Sequence, residues 1–243
     1  MTAAQAAARD EDETVGERKQ LTVLFADVQG SMELQEGLDP EAWAGIMSRF
    51  VQILAEGVRR FGGTVDKFTG DGIMALFGAP VAQEDHARRA CHTALHLTKA
   101  IAAYAEELRA SQGVDLHVRL GLNSGEVIVG RVGEDLALDP TALGHTVGLA
   151  QRMESMAEPG TAYLTDHTAR LVERWFRLRT LGPTQVKGVR VPLRVFVLEG
   201  PSVSPSALRG GTTLGTAPLV GRERELAALE DALAAAAQGQ AQV

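Results

Sequence analysis

The order in which strand-like and helix-like periodicities succeed one another over residues 21–132 is the feature that most restricts what this chain can become. Leu21 to Val28 (LTVLFADV) is an apolar, β-branched run of strand length and reads as a buried strand with Asp27 at its end. Asp39 and Pro40 supply an N-cap and a first helical position. Trp43, Ile46, Met47, Phe50, Leu54, Val58 and Phe61 then recur at helical spacing, which predicts a helix over about 40–61. Thr64 to Phe68 and Ile73 to Phe77 are short strands flanking Thr69-Gly70-Asp71-Gly72, where glycines permit the positive φ of a tight hairpin and place Asp71 at its tip. A second helix is expected over roughly 83–111, with Ala87, Ala90, Ala94, Leu97, Ile101, Tyr104 and Leu108 on its inner stripe and Gly113 as its stop. Leu116 to Leu122 and Glu126 to Val132 read as a further strand pair around Asn123-Ser124-Gly125.

Strand, helix, strand, strand, helix, strand is the split βαβ order of ferredoxin-like folds, so the chain is expected to be an α/β (α+β) sandwich of two layers. A helix over 144–157, a strand over 162–164, a helix over 166–173 and strands over 174–180 and 193–199 would extend its sheet. Around this domain, assigned to 21–200, residues 1–20 carry Asp10, Glu11, Asp12, Glu13 and Glu17 without an apolar run and read as a disordered acidic leader. Residues 201–218 (PSVSPSALRGGTTLGTAP) read as a flexible linker, and within 219–243 the stretch from Leu219 to Leu233 reads as an amphipathic helix without a core of its own.

A formal charge of -7 argues against nucleic acid or an anionic membrane as primary partner, because such binding depends on basic groups that displace counterions. Cys91 is the one cysteine and cannot form an intramolecular disulfide, which suits a reducing compartment; its plain role is that of a small buried apolar residue. Nowhere do about 18 apolar residues run without a charge, the length needed to span a bilayer. The expectation is a soluble, cytoplasmic chain.

Asp27 closes the first strand and Asp71 tips a neighbouring hairpin, so adjacent strand ends bring two carboxylates within reach of shared Mg²⁺ or Mn²⁺, which prefer hard oxygen ligands. Two such ions about 4 Å apart activate an attacking hydroxyl and stabilise the leaving oxygen in an in-line phosphoryl displacement. Aspartate is also an ordinary turn residue, and spacing does not separate the two readings.

Four segments in order, LTVLFADVQGS (21–31), VDKFTGDGIMALFG (65–78), VRLGLNSGEVIVGRVG (118–133) and LGHTVGLAQRMESMAEPG (143–160), together resemble the class III adenylyl/guanylyl cyclase family over about Leu21 to Glu199. The resemblance implies a catalytic domain that works as a head-to-tail homodimer with sites between subunits, turning ATP into 3′,5′-cyclic AMP and pyrophosphate with two Mg²⁺ or Mn²⁺ ions per site. Asp27 and Asp71 match its metal-binding aspartates, and the Val28 carbonyl would join them. Lys67 and Thr141 match the base-selecting positions in their adenine form; an ammonium and a hydroxyl satisfy N1 and N6 of adenine. Arg152 matches the arginine that offsets charge developing at the α-phosphoryl, and Lys187 resembles the lysine that holds the terminal phosphates.

Gly148 departs from this pattern, because the family usually carries Asn there to hold the ribose. Glycine inside a helix also costs roughly 1 kcal/mol relative to alanine. His145 stands where Asp or Asn is usual, and Gln151 precedes Arg152, so one of these is expected to reach over Gly148 in place of the missing amide. The departure supports a rival reading, a weak or silent cyclase domain that binds nucleotide, dimerises and regulates. Diguanylate cyclase on the related fold is disfavoured, since Gly70-Asp71-Gly72-Ile73-Met74 replaces that family's hairpin motif. Gly125 to Val132 mimics the first part of a P-loop, but Arg131 and Val132 replace its Lys and hydroxyl. His92 and His96 are spaced to share a metal, yet without a third ligand they read as a surface pair. Leu219 to Leu226 (LVGREREL) resembles the opening of a regulatory P-loop ATPase module, which would be a partner in cis.

Overall fold

A computed structural model describes residues 17–130 and 141–202, together with Ala228, Leu229 and Ala232. The elements are β1 (Glu17–Val28), α1 (Ser31–Glu36), α2 (Pro40–Arg60), β2 (Thr64–Phe68), β3 (Gly72–Phe77), α3 (His86–Gln112), β4 (Val118–Gly130), β5 (Thr141–Leu143), α4 (His145–Met156), β6 (Ala162–Thr165), α5 (Asp166–Val172), β7 (Phe176–Thr184) and β8 (Leu193–Pro201). The strands form one sheet in the order β2-β3-β1-β4-β6-β8-β7, with β5 pairing the far end of β4. Every pairing is antiparallel except that of β4 with β6. This is the expected α+β sandwich with an extended sheet.

Residues 203–243 form a separate unit, within which Ala228, Leu229 and Ala232 are helical. The rest of the expected linker and ATPase opening, and residues 1–16 of the acidic leader, lie outside the described residues. Among the described residues no helix is long and apolar enough to cross a membrane.

Helix α2 begins as its sequence dictates: the Asp39 carboxylate accepts from the backbone N–H groups of Glu41 at 2.9 Å and Ala42 at 3.3 Å, with Pro40 at the first helical position. Its stripe of Ile46, Phe50, Leu54 and Val58 is buried, each such side chain contributing about 1.5–3 kcal/mol by removal from water. α3 ends at Gly113, whose φ of 70° is the left-handed stop expected of a C-cap glycine. Helices α2, α3 and α5 share one apolar cluster with Leu24, Ala26, Ile73, Ala75, Phe77, Leu120 and Leu122 on one sheet face. The other face buries Leu21, Val23, Phe25, Met74 and Leu76 together with Ala150 of α4. β1 therefore lies between two cores, which is why its run from Leu21 to Ala26 does not alternate.

Four expectations need correction. Asn123-Ser124-Gly125 is not a turn: β4 runs unbroken, because Asn123 and Ser124 are buried and hydrogen-bonded and every residue from 118 to 129 is in register with β1. Glu17 to Gln20 belong to β1, paired with Glu126 to Val129, and not to a disordered leader. α3 starts at His86 and not at 83, where Asp85 instead pairs with Arg88 and Arg89. His92 and His96 are half-buried rather than a surface pair: both rings pack on Phe61, and His92 meets Phe176 edge-on at 4.8 Å. α1 and β5 were not anticipated.

Candidate active site

Asp27 and Asp71 meet at one end of the sheet. Asp27 pairs with Gly72 across β1 and β3, and Val28 donates its backbone N–H to the Asp71 carbonyl at 3.2 Å, so the hairpin tip is bound to the end of β1. The ladder closes because residue 72 is glycine. A Cβ there would stand 2.1 Å from the Ala26 carbonyl oxygen and 2.8 Å from the Asp27 Cα. Gly70 takes up the left-handed φ, 99°, that the hairpin requires.

Burial pushes the Asp27 carboxyl up to about 7, helped by its hydrogen bond with Asp71 and by the charges of Asp71 and Glu154. Oδ1 of Asp27 is buried with no hydrogen-bond partner. Ser31, the first residue of α1, donates to Asp71 Oδ2 at 2.5 Å. These groups fit a divalent cation: two hard oxygen donors face each other, one has an oxygen to spare, and the charge of Asp71 adds to the cost of ionising Asp27. Among the described residues no three His, Cys, Asp or Glu side chains form a cage.

Glu154 on α4 is a further carboxylate whose charge acts on Asp27, and no motif signals it, because an acid on an amphipathic helix reads as solvated. Its side chain is 6% exposed, burial raises its pKa, and Arg119 Nη2 at 3.0 Å opposes that rise. Ser31 and Arg119 were likewise missed, although both lie inside the quoted segments.

The remaining candidates stand elsewhere on the same fold. Lys67 is exposed on β2, opposite Met74 and just past a bulge at Val65. Thr141 opens β5 opposite Gly130, and β5 approaches β2, which brings the backbone segments of the two base-selecting candidates together. His145, Gly148 and Gln151 are exposed and share one face of α4 at spacings of three. A Cβ on Gly148 would meet nothing within 4 Å. Arg152 follows on α4, with its guanidinium 4.0 Å from where a side chain on Gly188 would begin, beside the turn that exposes Lys187. At about 100° per residue, Arg152 and Glu154 project roughly 200° apart, so the arginine points away from the carboxylates of its own chain.

Comparison with known proteins shows the family and the fold. Residues 14–200 match the model of the adenylate and guanylate cyclase catalytic domain. Adenylate cyclase 1 of Rhizobium meliloti is 30% identical over 197 residues, 80% of this chain and 30% of that protein. The chain thus spans about a third of the length of that curated relative. Among solved structures, the adenylyl cyclase CyaB from P. aeruginosa superposes with a TM-score of 0.74 at 32% identity, covering 77% of this chain and 97% of that one. The guanylyl cyclase Cya2 superposes with a TM-score of 0.71 at 30% identity, covering 79% and 97%.

Proposed function

The chain belongs to the family of adenylate and guanylate cyclase catalytic domains, and on that premise we propose that it converts ATP to 3′,5′-cyclic AMP and pyrophosphate as a homodimer in intracellular signalling. The observation that carries the reading is the contact of Asp27 with Asp71, with a buried carboxylate oxygen left unpartnered.

Asp27, Asp71 and the Val28 carbonyl would hold two Mg²⁺ or Mn²⁺ ions, which supply Lewis acidity to the triphosphate and lower the pKa of the attacking 3′-hydroxyl. Ionised Asp27 is the ligand form, and Ser31 fixes the Asp71 oxygen that faces α1. Arg152, whose guanidinium approaches Gly188, and Lys187, the residue before that glycine, would supply cations suited to phosphoryl oxygens. Because Arg152 points away from its own carboxylates, it would serve those of a second copy, giving two composite sites per head-to-tail dimer. Lys67 and Thr141 read the purine: an ammonium donor toward N1 and a hydroxyl acceptor toward the N6 amine favour adenine.

A second reading rests on Gly148. With open space where the family places an amide, a domain that binds nucleotide and dimerises but turns over slowly is the alternative. Cyclic nucleotide yield from ATP and from GTP, each with Mg²⁺ and with Mn²⁺, separates the two. Metal-dependent cyclic AMP that disappears in Asp71→Ala supports catalysis. A preference for GTP contradicts the roles of Lys67 and Thr141, and no product from either nucleotide favours the regulatory module.

A further inference from the structure

Helix α4, which carries Arg152 and Glu154, is seated on β4 through two glycines with one buried amide between them. Residues 121, 123 and 125 face α4 in alternation, as the pleat requires, and they are Gly, Asn and Gly. A Cβ on Gly121 would stand 2.0 Å from the Glu154 backbone nitrogen and 2.3 Å from the Ala150 carbonyl oxygen. One on Gly125 would stand 2.7 Å from Thr146 Oγ1. Helix and strand therefore touch near both ends of the seat, with no side chain between them to adjust the gap.

Asn123 fills the middle and is 3% exposed. Its Nδ2 donates to the Thr146 carbonyl at 2.9 Å, in the first turn of α4, and its Oδ1 accepts from Thr165 Oγ1 at 2.6 Å, at the end of β6. Thr146 Oγ1 in turn donates to the Glu126 carbonyl at 2.8 Å. The first turn of α4 is thus bound twice to β4 by directional contacts, and Thr165 at the end of β6 holds the Asn123 amide that makes one of them. Apolar packing at this position would hold the helix without fixing its angle, whereas a hydrogen-bonded buried polar network specifies one arrangement.

We propose that Asn123 and Thr165 are positioning residues of the active site, which set the tilt of α4 on β4 and thereby aim Arg152 at the α-phosphoryl group of the bound nucleotide. The inference rests on the role given to Arg152 above. Arg152 lies six residues beyond Thr146, or about 9 Å along the axis, so a tilt of ~10° about the anchor moves its backbone by ~1.5 Å. A misplacement of about 1 Å in a catalytic constellation costs on the order of a hundredfold in rate.

The test compares kcat, KM and native-state hydrogen exchange of α4 in the wild type, Asn123→Leu, Thr165→Val, Thr165→Ser, Arg152→Ala and the Asn123→Leu/Arg152→Ala double variant. Asn123→Leu and Thr165→Val are expected to lower kcat about tenfold or more with KM little changed, while Thr165→Ser keeps the hydroxyl and stays within about twofold of wild type. In the Arg152→Ala background Asn123→Leu should cost nothing further, because the two act through one group. α4 amides should exchange faster in both apolar variants, with β1 and β3 unchanged. Full additivity of the two losses, or unchanged kcat in a variant whose α4 exchanges faster, overturns the proposal. Should Asn123→Leu not fold, the Thr165 pair decides by the same criteria. If the wild type makes no cyclic nucleotide, the proposed reaction fails by itself. The seat is then judged by exchange alone, and unchanged α4 protection in Asn123→Leu or Thr165→Val overturns it.

Discussion

Arg119 stands directly across the β1–β4 ladder from Asp27, yet its guanidinium is paired with Glu154 of α4 rather than with Asp27. The cation therefore compensates the buried acid of the helix, and among the described residues no cation contributes to holding Asp27 ionised beside Asp71. That division of partners makes the aspartate pair a place where added positive charge is favourable.

Removing the guanidinium strands Glu154 in a site where its side chain is 6% exposed. Arg119→Met is expected to destabilise the fold by about 3 kcal/mol, the cost of a buried charge deprived of its partner. Arg119→Met/Glu154→Gln should recover most of that loss in urea unfolding. Equal stability of the single and double variants would show that the pair carries no compensating charge.

Asp27 sets a pH dependence with a definite sign. Its folded pKa of about 7 lies above the ordinary value of 3.8, so the folded state binds the extra proton and its contribution is fully present below about 4. That contribution is lost as pH rises toward 7 and is constant above it. Without metal, the Tm of wild type relative to Asp27→Asn should fall between pH 4 and 7, the comparison cancelling the histidines, whose lowered pKa values act in the opposite direction. Stabilisation by Mg²⁺ or Mn²⁺ should grow over the same interval, since the cation displaces that proton. A pH-independent difference between the two proteins would exclude a raised Asp27.

Gly72 and Gly45 separate a glycine that is required from one that is not. Gly72→Ala drives a Cβ into the Ala26 carbonyl, so β1 and β3 must part where Asp27 and Asp71 meet. The expected cost is about 3 kcal/mol, with loss of metal-induced stabilisation. Gly45 is exposed inside α2 with nothing within 4 Å of a Cβ, and Gly45→Ala should stabilise by about 0.5–1 kcal/mol. Thermal unfolding with and without Mn²⁺ checks both.

Much of this architecture was legible because periodicity and caps act locally: Asp39-Pro40 started α2 and Gly113 ended α3 where expected. The Asp27 and Asp71 approach was legible for the same reason, as one closes a strand and the other tips a neighbouring hairpin. Asn123 and Gly125 misled, because residues that favour turns in isolation here serve close packing, and a contact with α4 cannot be read from spacing along β4. Glu154 was invisible on similar grounds. A carboxylate is read as solvated until the fold supplies Arg119 to pair with it.

Gly148 offers the most direct test of catalytic competence. It sits on the exposed face of α4 with open space around a Cβ, so Gly148→Asn introduces an amide without a clash and improves helix propensity by about 0.3 kcal/mol. If His145 or Gln151, three residues to either side, supplies the contact that an asparagine would make, His145→Ala or Gln151→Ala should lower turnover several-fold in the wild type. The same change should matter little in the Gly148→Asn background, where the new amide takes over. The compensation hypothesis carries this specific signature because the two routes would serve one ribose and cannot add. Should Gly148→Asn raise turnover many-fold while His145→Ala and Gln151→Ala leave it untouched in both backgrounds, neither residue replaces the amide, and the wild-type domain is a slow catalyst for want of that contact.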